Sequence, residues 1–380
     1  MTTTPSPPER FSLKDHLFNR DTVATLADQV RTASESFDAD AFVAQVMAGL
    51  PERELKQRID WISQCLRQHL PSSYRDAVHV ILAALPPCLD ENRTDNDFGD
   101  FIHAPYAHFV AEYGCTPDDL EFSLEALREI TMRFSAEFAI REFINAFPEA
   151  TLATIASWAG DPNYHVRRLC SEGTRPSLPW ARRLTTPVAA TIPILDQLHA
   201  DPTRYVTRSV ANHLNDISKV DPDLTLATLD RWRAAGEQDP AEMTFIVRHA
   251  TRTLIKKGHP GAMALWGMSP DPKVSVVDLR WTPVVAMGEA LEFSFDLVAA
   301  ESAEVIVDYV VAFQGRAGGM TGRKVFKLKS LSLCTGERAR VTKRHPMRGG
   351  MTTRQLYPGA HEVQLQINGA DHGTWPFTLV

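Results

Sequence analysis

Two glutamates and one tryptophan carry the chemistry this sequence can offer. The stretch from Asp161 to Arg183 reads DPNYHVRRLCSEGTRPSLPWARR. Asp161-Pro162 predicts a helix start, with a side-chain cap and a proline at the first helical position. Arg168 and Glu172 then stand four residues apart on one helix face. Gly173 ends the helix, and Pro176 and Pro179 keep the next segment from resuming it. Glu172 is left near a helix C-terminus, where the dipole disfavours a negative charge. Arg167, Arg168, Arg175, Arg182 and Arg183 crowd it in sequence, with Trp180 close by. Those arginines or a cationic ligand must balance it.

The second carboxylate is Glu137, in Arg133–Ile144, RFSAEFAIREFI. On a continuous helix Arg133, Glu137 and Arg141 line up at i+4 steps, with Phe134, Phe138, Phe143 and Phe147 as an apolar flank. Plainer alternatives stay open. Glu137 pairs with Arg141 on the surface, Glu172 is an ordinary helix-end residue, and Trp180 anchors a core. The usual catalytic signatures are missing: no Walker loop, no GxGxxG after a strand, no HExxH and no GxSxG. His165, His213 and His249 read as packing or surface residues. Cys65, Cys88, Cys115, Cys170 and Cys334 are odd in number and never spaced as CxxC. They read as reduced and mostly structural, which argues against a zinc module or a disulfide framework.

A chain of 380 residues is too long for one compact core, so two domains are expected. No apolar run is long enough to span a bilayer. The opening, Met1 to Arg10, has no apolar signal core, so we expect a cytoplasmic protein, monomeric and without a membrane partner. The net charge of −7 speaks against a nucleic-acid partner until its distribution is considered. From Gln314 to Arg354 there are eleven Lys/Arg against one acid, Glu337. That local +10 leaves −17 for the remainder, and a patch so basic is read as the footprint of a polyanion.

The elements that must position these residues are helical over the first 260. Helices are expected over residues 11–34, 39–49, 52–69, 72–84, 98–113, 117–133 and 135–146, with a polar loop over 90–97. Beyond residue 150 the helices repeat. Arg168, Arg208 and Arg248 recur at an interval of 40, each two residues after Val166, Val206 or Ile246. Paired helices at that period predict a HEAT- or armadillo-like solenoid. In its register Glu172, Asn212 and Arg252 are equivalent, so Arg168/Glu172, Arg208/Asn212 and Arg248/Arg252 form polar ladders with Lys256 one turn on. Such a ladder is either a solvated face or a groove following a phosphate backbone.

The texture then changes to short, alternating β-branched runs over 274–280, 290–298, 304–313, 324–333, 338–343, 361–367 and 374–380, separated by turn signals. Seven strands in this space predict an immunoglobulin-like sandwich. The expected architecture is thus an all-α HEAT-like solenoid, residues 1–265, followed by an all-β sandwich, residues 272–380.

The pairing of RFSAEFAIREFI with HVRRLCSEGTRPSLPWA inside such repeats resembles the AlkC branch of the AlkC/AlkD DNA alkylation-repair glycosylases, most clearly over residues 115–258. A C-terminal immunoglobulin-like domain is similar to that of one subgroup. The resemblance implies a monofunctional glycosylase that removes cationic alkylated bases from duplex DNA, among them 3-methyladenine, 3-methylcytosine and 1-methyladenine. It bends the duplex and uses no deep base pocket. It also implies that Glu137 and Glu172 are the paired acidic residues and Trp180 the active-site aromatic, with no metal or organic cofactor required. Phosphate contacts are then expected from Arg141, Arg167, Arg168, Arg175, Arg208, Asn212, Arg248, Arg252 and Lys256. The sandwich is expected to add Arg316, Arg323, Lys324, Arg344 and Arg348. HEAT-like repeats more often bind than catalyse, so a non-catalytic scaffold for nucleic acid or protein remains the alternative.

Overall fold

The computed structural model describes residues 12–90, 98–349 and 355–380. The Met1–Arg10 opening, nearly all of the predicted 90–97 loop, and Arg354 of the basic stretch lie outside the described residues. The chain packs into two compact units, Met1–Asp216 with Gly236–Pro240, and Ile217–Ala235 with Ala241–Val380.

The first unit is helical: α1 (Leu13–Leu17), α2 (Arg20–Ala33), α3 (Ala39–Gly49), α4 (Leu55–His69), α5 (Tyr74–Ala83), α6 (Ala104–Gly114), α7 (Leu120–Thr131), α8 (Ile140–Ala146), α9 (Pro148–Ser157), α10 (Tyr164–Glu172), α11 (Ile192–Leu198) and α12 (Arg204–Ile217). The single helix expected over 11–34 is two. Phe18 is extended, and the Asn19 side chain accepts from the Asp21 and Thr22 amides while Thr22 answers the Asn19 amide. That reciprocal cap starts α2 afresh, and its apolar face buries Val23, Leu26, Ala27 and Val30. The repeat pairs appear as α9/α10 and α11/α12. Val166, Val206 and Ile246, the residues that set the 40-residue register, are all fully buried. The repeat is therefore a packing period.

The second unit begins with α13 (Pro222–Ala235), α14 (Pro240–Ala250), α15 (Arg252–Lys256) and α16 (Pro260–Leu265). Strands follow: β1 (Val274–Trp281), β2 (Val284–Val285), β3 (Ala290–Ala299), β4 (Ala303–Gln314), β5 (Met320–Leu333), β6 (Arg338–Pro346), β7 (Gly359–Ile367) and β8 (Ala370–Leu379). They form a three-stranded sheet β1-β3-β6 and a five-stranded sheet β2-β8-β7-β4-β5. Leu291, Phe293, Phe295 and Leu297 of β3 and Val305, Val307, Tyr309, Val311 and Phe313 of β4 share one core, the period-two pattern of facing sheets. The two-residue β2 was too short to read from the sequence.

Helix gives way to strand between Leu265 and Val274, but the packing does not divide there. Leu254, Ile255, Ala262, Met263 and Met268 form one apolar cluster with Ile306 of β4. Asn368 ties the join, donating to the Ser269 and Glu304 carbonyls at 2.7 and 3.2 Å and accepting from the Ile306 amide at 2.7 Å. Gly258 and Gly369, both at positive φ, approach so closely that a Cβ on Gly369 would lie 2.1 Å from Gly258 Cα. The boundary expected at residues 265–272 thus falls inside the second unit. Among the described residues, no helix is long and apolar enough to cross a membrane.

Candidate active site

Helix α10 starts two residues later than the Asp161-Pro162 pattern predicted. Asn163 is the cap and accepts from the His165 amide at 2.9 Å, while Asp161 accepts from the Asn163 amide at 2.8 Å. At the other end Gly173 is in the ordinary helical region. It is glycine for another reason: a Cβ would stand 2.5 Å from Ile140 Cγ2 of α8. The close approach of α8 to the end of α10 brings Glu137, just ahead of α8, towards Glu172.

Glu137 is not on a helix. Residues 132–139 form turns and a single bridge, Gly99 to Phe134, between α7 and α8. Arg133, Glu137 and Arg141 therefore do not share a helical face, contrary to the i+4 reading. Arg133 turns away, donating to the Pro86 and Glu129 carbonyls at 3.0 Å.

One guanidinium holds the two carboxylates. Arg168 Nη1 is 2.9 Å from Glu137 Oε2 and Nη2 is 3.9 Å from Glu172 Oε1. Ser135 Oγ accepts from Arg168 at 2.9 Å and donates to Glu137 Oε2 at 2.8 Å. Arg168 is itself buried, its guanidinium 4.6 Å from the Tyr205 ring centroid and 5.2 Å from that of Phe98. Glu172 Oε1 accepts from Arg175 Nη1 at 2.5 Å, and Oε2 from Ser209 Oγ at 2.6 Å. Arg175 reaches on to Asp216, its Nε 2.9 Å and Nη2 2.8 Å from Oδ2.

Burial alone would raise the Glu172 pKa, but the Arg168 and Arg175 charges, with hydrogen bonds from Ser209 and Arg175, outweigh it. The net shift is downward, and Glu172 is a carboxylate at neutral pH. Behind it, His213 Nδ1 lies 3.0 Å from the Ser171 carbonyl and Nε2 3.1 Å from Thr191 Oγ1. A carbonyl only accepts, so Nδ1 carries the proton. Burial pushes the His213 pKa down to about 4.

Trp180 occupies the third position of a turn closed by the Ala181 amide to the Leu178 carbonyl at 3.2 Å, with Pro179 before it. Its φ is 65°, a value that suits glycine at this place and strains a bulky residue. The indole is 68% exposed, so the strain serves no core packing. Two cations hold the turn. Lys56 Nζ of α4 donates to the Trp180 carbonyl at 2.5 Å. The fully buried Arg141 donates to the carbonyls of Arg182, Gly173 and Arg175 at 2.7, 3.0 and 2.8 Å.

These residues surround a cavity of about 450 Å3, walled by Glu137, Glu172, Trp180, Arg168, Arg175, Tyr205, Arg208, Ser209 and Asn212 among others. Among the described residues, no three His, Cys, Asp or Glu are grouped to hold a metal ion.

A profile described as DNA alkylation repair enzyme matches residues 115–254, and one described as the C-terminal Ig-like domain of uncharacterised protein YhaZ matches residues 275–380. YhaZ of Bacillus subtilis is 32% identical over 93% of this chain and 95% of its own. The Pseudomonas fluorescens alkylpurine DNA glycosylase AlkC, solved bound to DNA containing an abasic site analogue, superposes with a TM-score of 0.86 at 35% identity, covering 97% of this chain and 99% of that one.

The chain belongs to the AlkC family of DNA alkylation repair proteins.

Within this AlkC-family chain the arginines divide into uses the sequence did not separate. Arg141, expected at phosphate, is fully buried, with its Nε and Nη1 donating to backbone carbonyls. Arg167 is withdrawn as well, bound to Asp201 at 2.6 Å and to the Asp161 and Pro162 carbonyls at 2.8 and 2.9 Å. Arg168 and Arg175, also expected at phosphate, hold the carboxylates. Arg182 pairs with Glu142 at 2.7 Å. Arg208 and Asn212, half-buried, line the cavity wall, as their 40-residue equivalence to Arg168 and Glu172 suggests.

The remaining cations lie in the second unit. Arg248 is exposed over the Trp266 ring, Arg252 is half-buried and donates to the His249 carbonyl, and Lys256 is exposed. Arg316 and Arg348 are exposed, Arg323 bonds Gln364, and Lys324 lies over Phe326. Arg344 is exposed but 3.0 Å from Glu292. Ser135, Tyr205, Ser209 and Asp216 went unremarked in the sequence. Ser209 follows the repeated Arg208, and Tyr205 stands 40 residues after His165, so the repeat register pointed to both.

Proposed function

We propose that the chain is a DNA glycosylase that hydrolyses the N-glycosidic bond of cationic alkylated bases in duplex DNA, 3-methyladenine and 3-methylcytosine foremost and 1-methyladenine next. The observation that carries this reading is the bridging of Glu137 and Glu172 by the single Arg168 guanidinium at the edge of an open cavity. N3-alkylation makes the base cationic. When the C1′–N bond breaks, its electron pair neutralises the departing base, and no general acid is needed. What costs energy is the positive charge growing on the sugar. Glu137 and Glu172 place two carboxylates on the cavity wall, fixed anions that face that sugar.

The two glutamates divide the work. Glu172 has a bond on each oxygen and is held as a fixed anion. Both bonds to Glu137 fall on Oε2, so Oε1 is the acceptor that orients the attacking water and takes its proton. Trp180 lies against the cationic base or sugar, for roughly 0.5–2 kcal/mol. The product is an intact strand with an abasic site, and the damaged base leaves by hydrolysis alone. The lesion is reached in bent duplex, without a deep base pocket. Arg208 and the exposed cations of the sandwich take phosphate.

The test is incubation of the purified chain with methylated duplex DNA, with released bases separated and identified. Release of 3-methyladenine, with affinity falling steeply as salt rises, is the expected result. A chain that binds such DNA yet releases nothing is a scaffold and ends the enzymatic reading.

A further inference from the structure

A second cavity, of about 640 Å3, lies behind Trp180 in the first unit. Phe101, Phe134, Ser135, Phe138 and Trp180 line both it and the carboxylate cavity, so a largely aromatic partition stands between them. On the far wall α6 presents Ala104, Ala107 and Ala111, three and four residues apart on one face. Small side chains there leave the space between helix and aromatic rings open.

The charges of the two cavities differ. The first carries the cations Arg168, Arg175 and Arg208. In the second both cations are engaged, Lys56 with the Trp180 carbonyl and Arg182 with Glu142. The other charged carboxylates on its wall are Asp60 and Glu112. Three carboxylates, Asp60, Glu112 and Glu142, stand there against two cations, so a phosphate or a DNA strand meets an excess of negative charge. A flat heteroaromatic ring without negative charge meets aromatic and methyl faces, with carboxylate acceptors for an exocyclic amino group.

We propose that this cleft is a product site, which takes up the free alkylated base once the glycosidic bond has broken. The identity of the ligand rests on the glycosylase reading; the cavity and its charge do not. The base leaves DNA neutral, as its positive charge is quenched by the bond's electron pair, so entering an apolar cleft costs it no charge desolvation. Passage across the partition frees the carboxylate cavity while the abasic strand is still bound.

Cys115 lines the cleft and supplies the assay. Cys65 and Cys170 are buried, so in the full chain carrying Cys88→Ser and Cys334→Ser, Cys115 is the accessible thiol. Its alkylation by a maleimide at mildly alkaline pH is followed with and without free 3-methyladenine. Saturable protection is expected. Ala111→Phe, which fills the cleft, should raise the half-protecting concentration at least about tenfold and leave single-turnover excision within about twofold. Should Ala111→Phe fail to fold, the Cys115 maleimide adduct of the same chain serves, and equilibrium dialysis should find its base binding lost. Excision without protection, or protection unchanged by filling the cleft, overturns the product site and leaves the glycosylase reading intact. Protection by a chain that excises nothing keeps the site and removes the enzyme.

Discussion

Two arginine-rich regions of this molecule use the same side chain in opposite ways. Around the carboxylate cavity, Arg141, Arg168 and Arg175 are buried, and each makes several short contacts to groups fixed in one arrangement. On the β3-β6 face of the sandwich, Arg338 and Arg340 share Asp296 and Arg344 pairs with Glu292, all three guanidiniums in the solvent. The buried set determines geometry. The exposed set carries charge, and part of it is already balanced by acids on the neighbouring strand. Counting Lys and Arg along Gln314–Arg354 missed that balance, because Glu292 and Asp296 lie earlier in sequence yet next door in the sheet.

The comparison breaks first at Arg141. Arg141→Met leaves the Gly173, Arg175 and Arg182 carbonyls without their donor, at about 1–3 kcal/mol for each buried acceptor. Chemical denaturation should show a loss of at least roughly 3 kcal/mol. A loss below about 1 kcal/mol would mean the turn carrying Trp180 is held by something else.

Acid should act on the buried region through His213. The unfolded chain takes up a proton near the ordinary value of 6.5, the folded one only near 4. Stability therefore falls as pH drops through that window, by roughly 3 kcal/mol in full. The neighbouring Arg175 charge favours the neutral ring, and Asp216 and Glu172 oppose it. The lowered Glu172 pKa works in the same direction at still lower pH, since its contribution is present above its ordinary 4.5 and lost below it. Urea midpoints at pH 7 and pH 5 check this; His213→Asn should flatten the difference.

Trp180→Gly sharpens the distinction between packing and function. Glycine accepts a φ of 65° without strain, so stability should stay level or rise by about 1 kcal/mol while excision falls. A drop in melting temperature would return the indole to the role of a core anchor. The smallest effect belongs to the exposed set: Arg344→Ala should change stability by less than about 1 kcal/mol, with its consequence confined to salt-dependent DNA affinity.

Much of this was legible in advance, for reasons that differ from residue to residue. The 40-residue register was readable because Val166, Val206 and Ile246 are core positions, and it carried Asn212 to the wall that holds Glu172. The sandwich strands were readable because their inner faces alternate. Glu137 could be placed only through resemblance to a family. Its segment looks helical but is turned by the Gly99–Phe134 bridge, a contact between distant parts of the chain. The partners of Arg141 and Arg167 were not legible, because they are tertiary carbonyls and carboxylates, Asp201 among them, that local spacing does not reveal.

The most direct test is single-turnover release of 3-methyladenine from methylated duplex DNA by Glu137→Gln and Glu172→Gln, with melting and DNA affinity measured alongside. Each amide keeps the shape and removes the charge, so the rate should fall by about 10²–10³ while folding and DNA binding persist. Release at the unaltered rate by both variants would contradict the account.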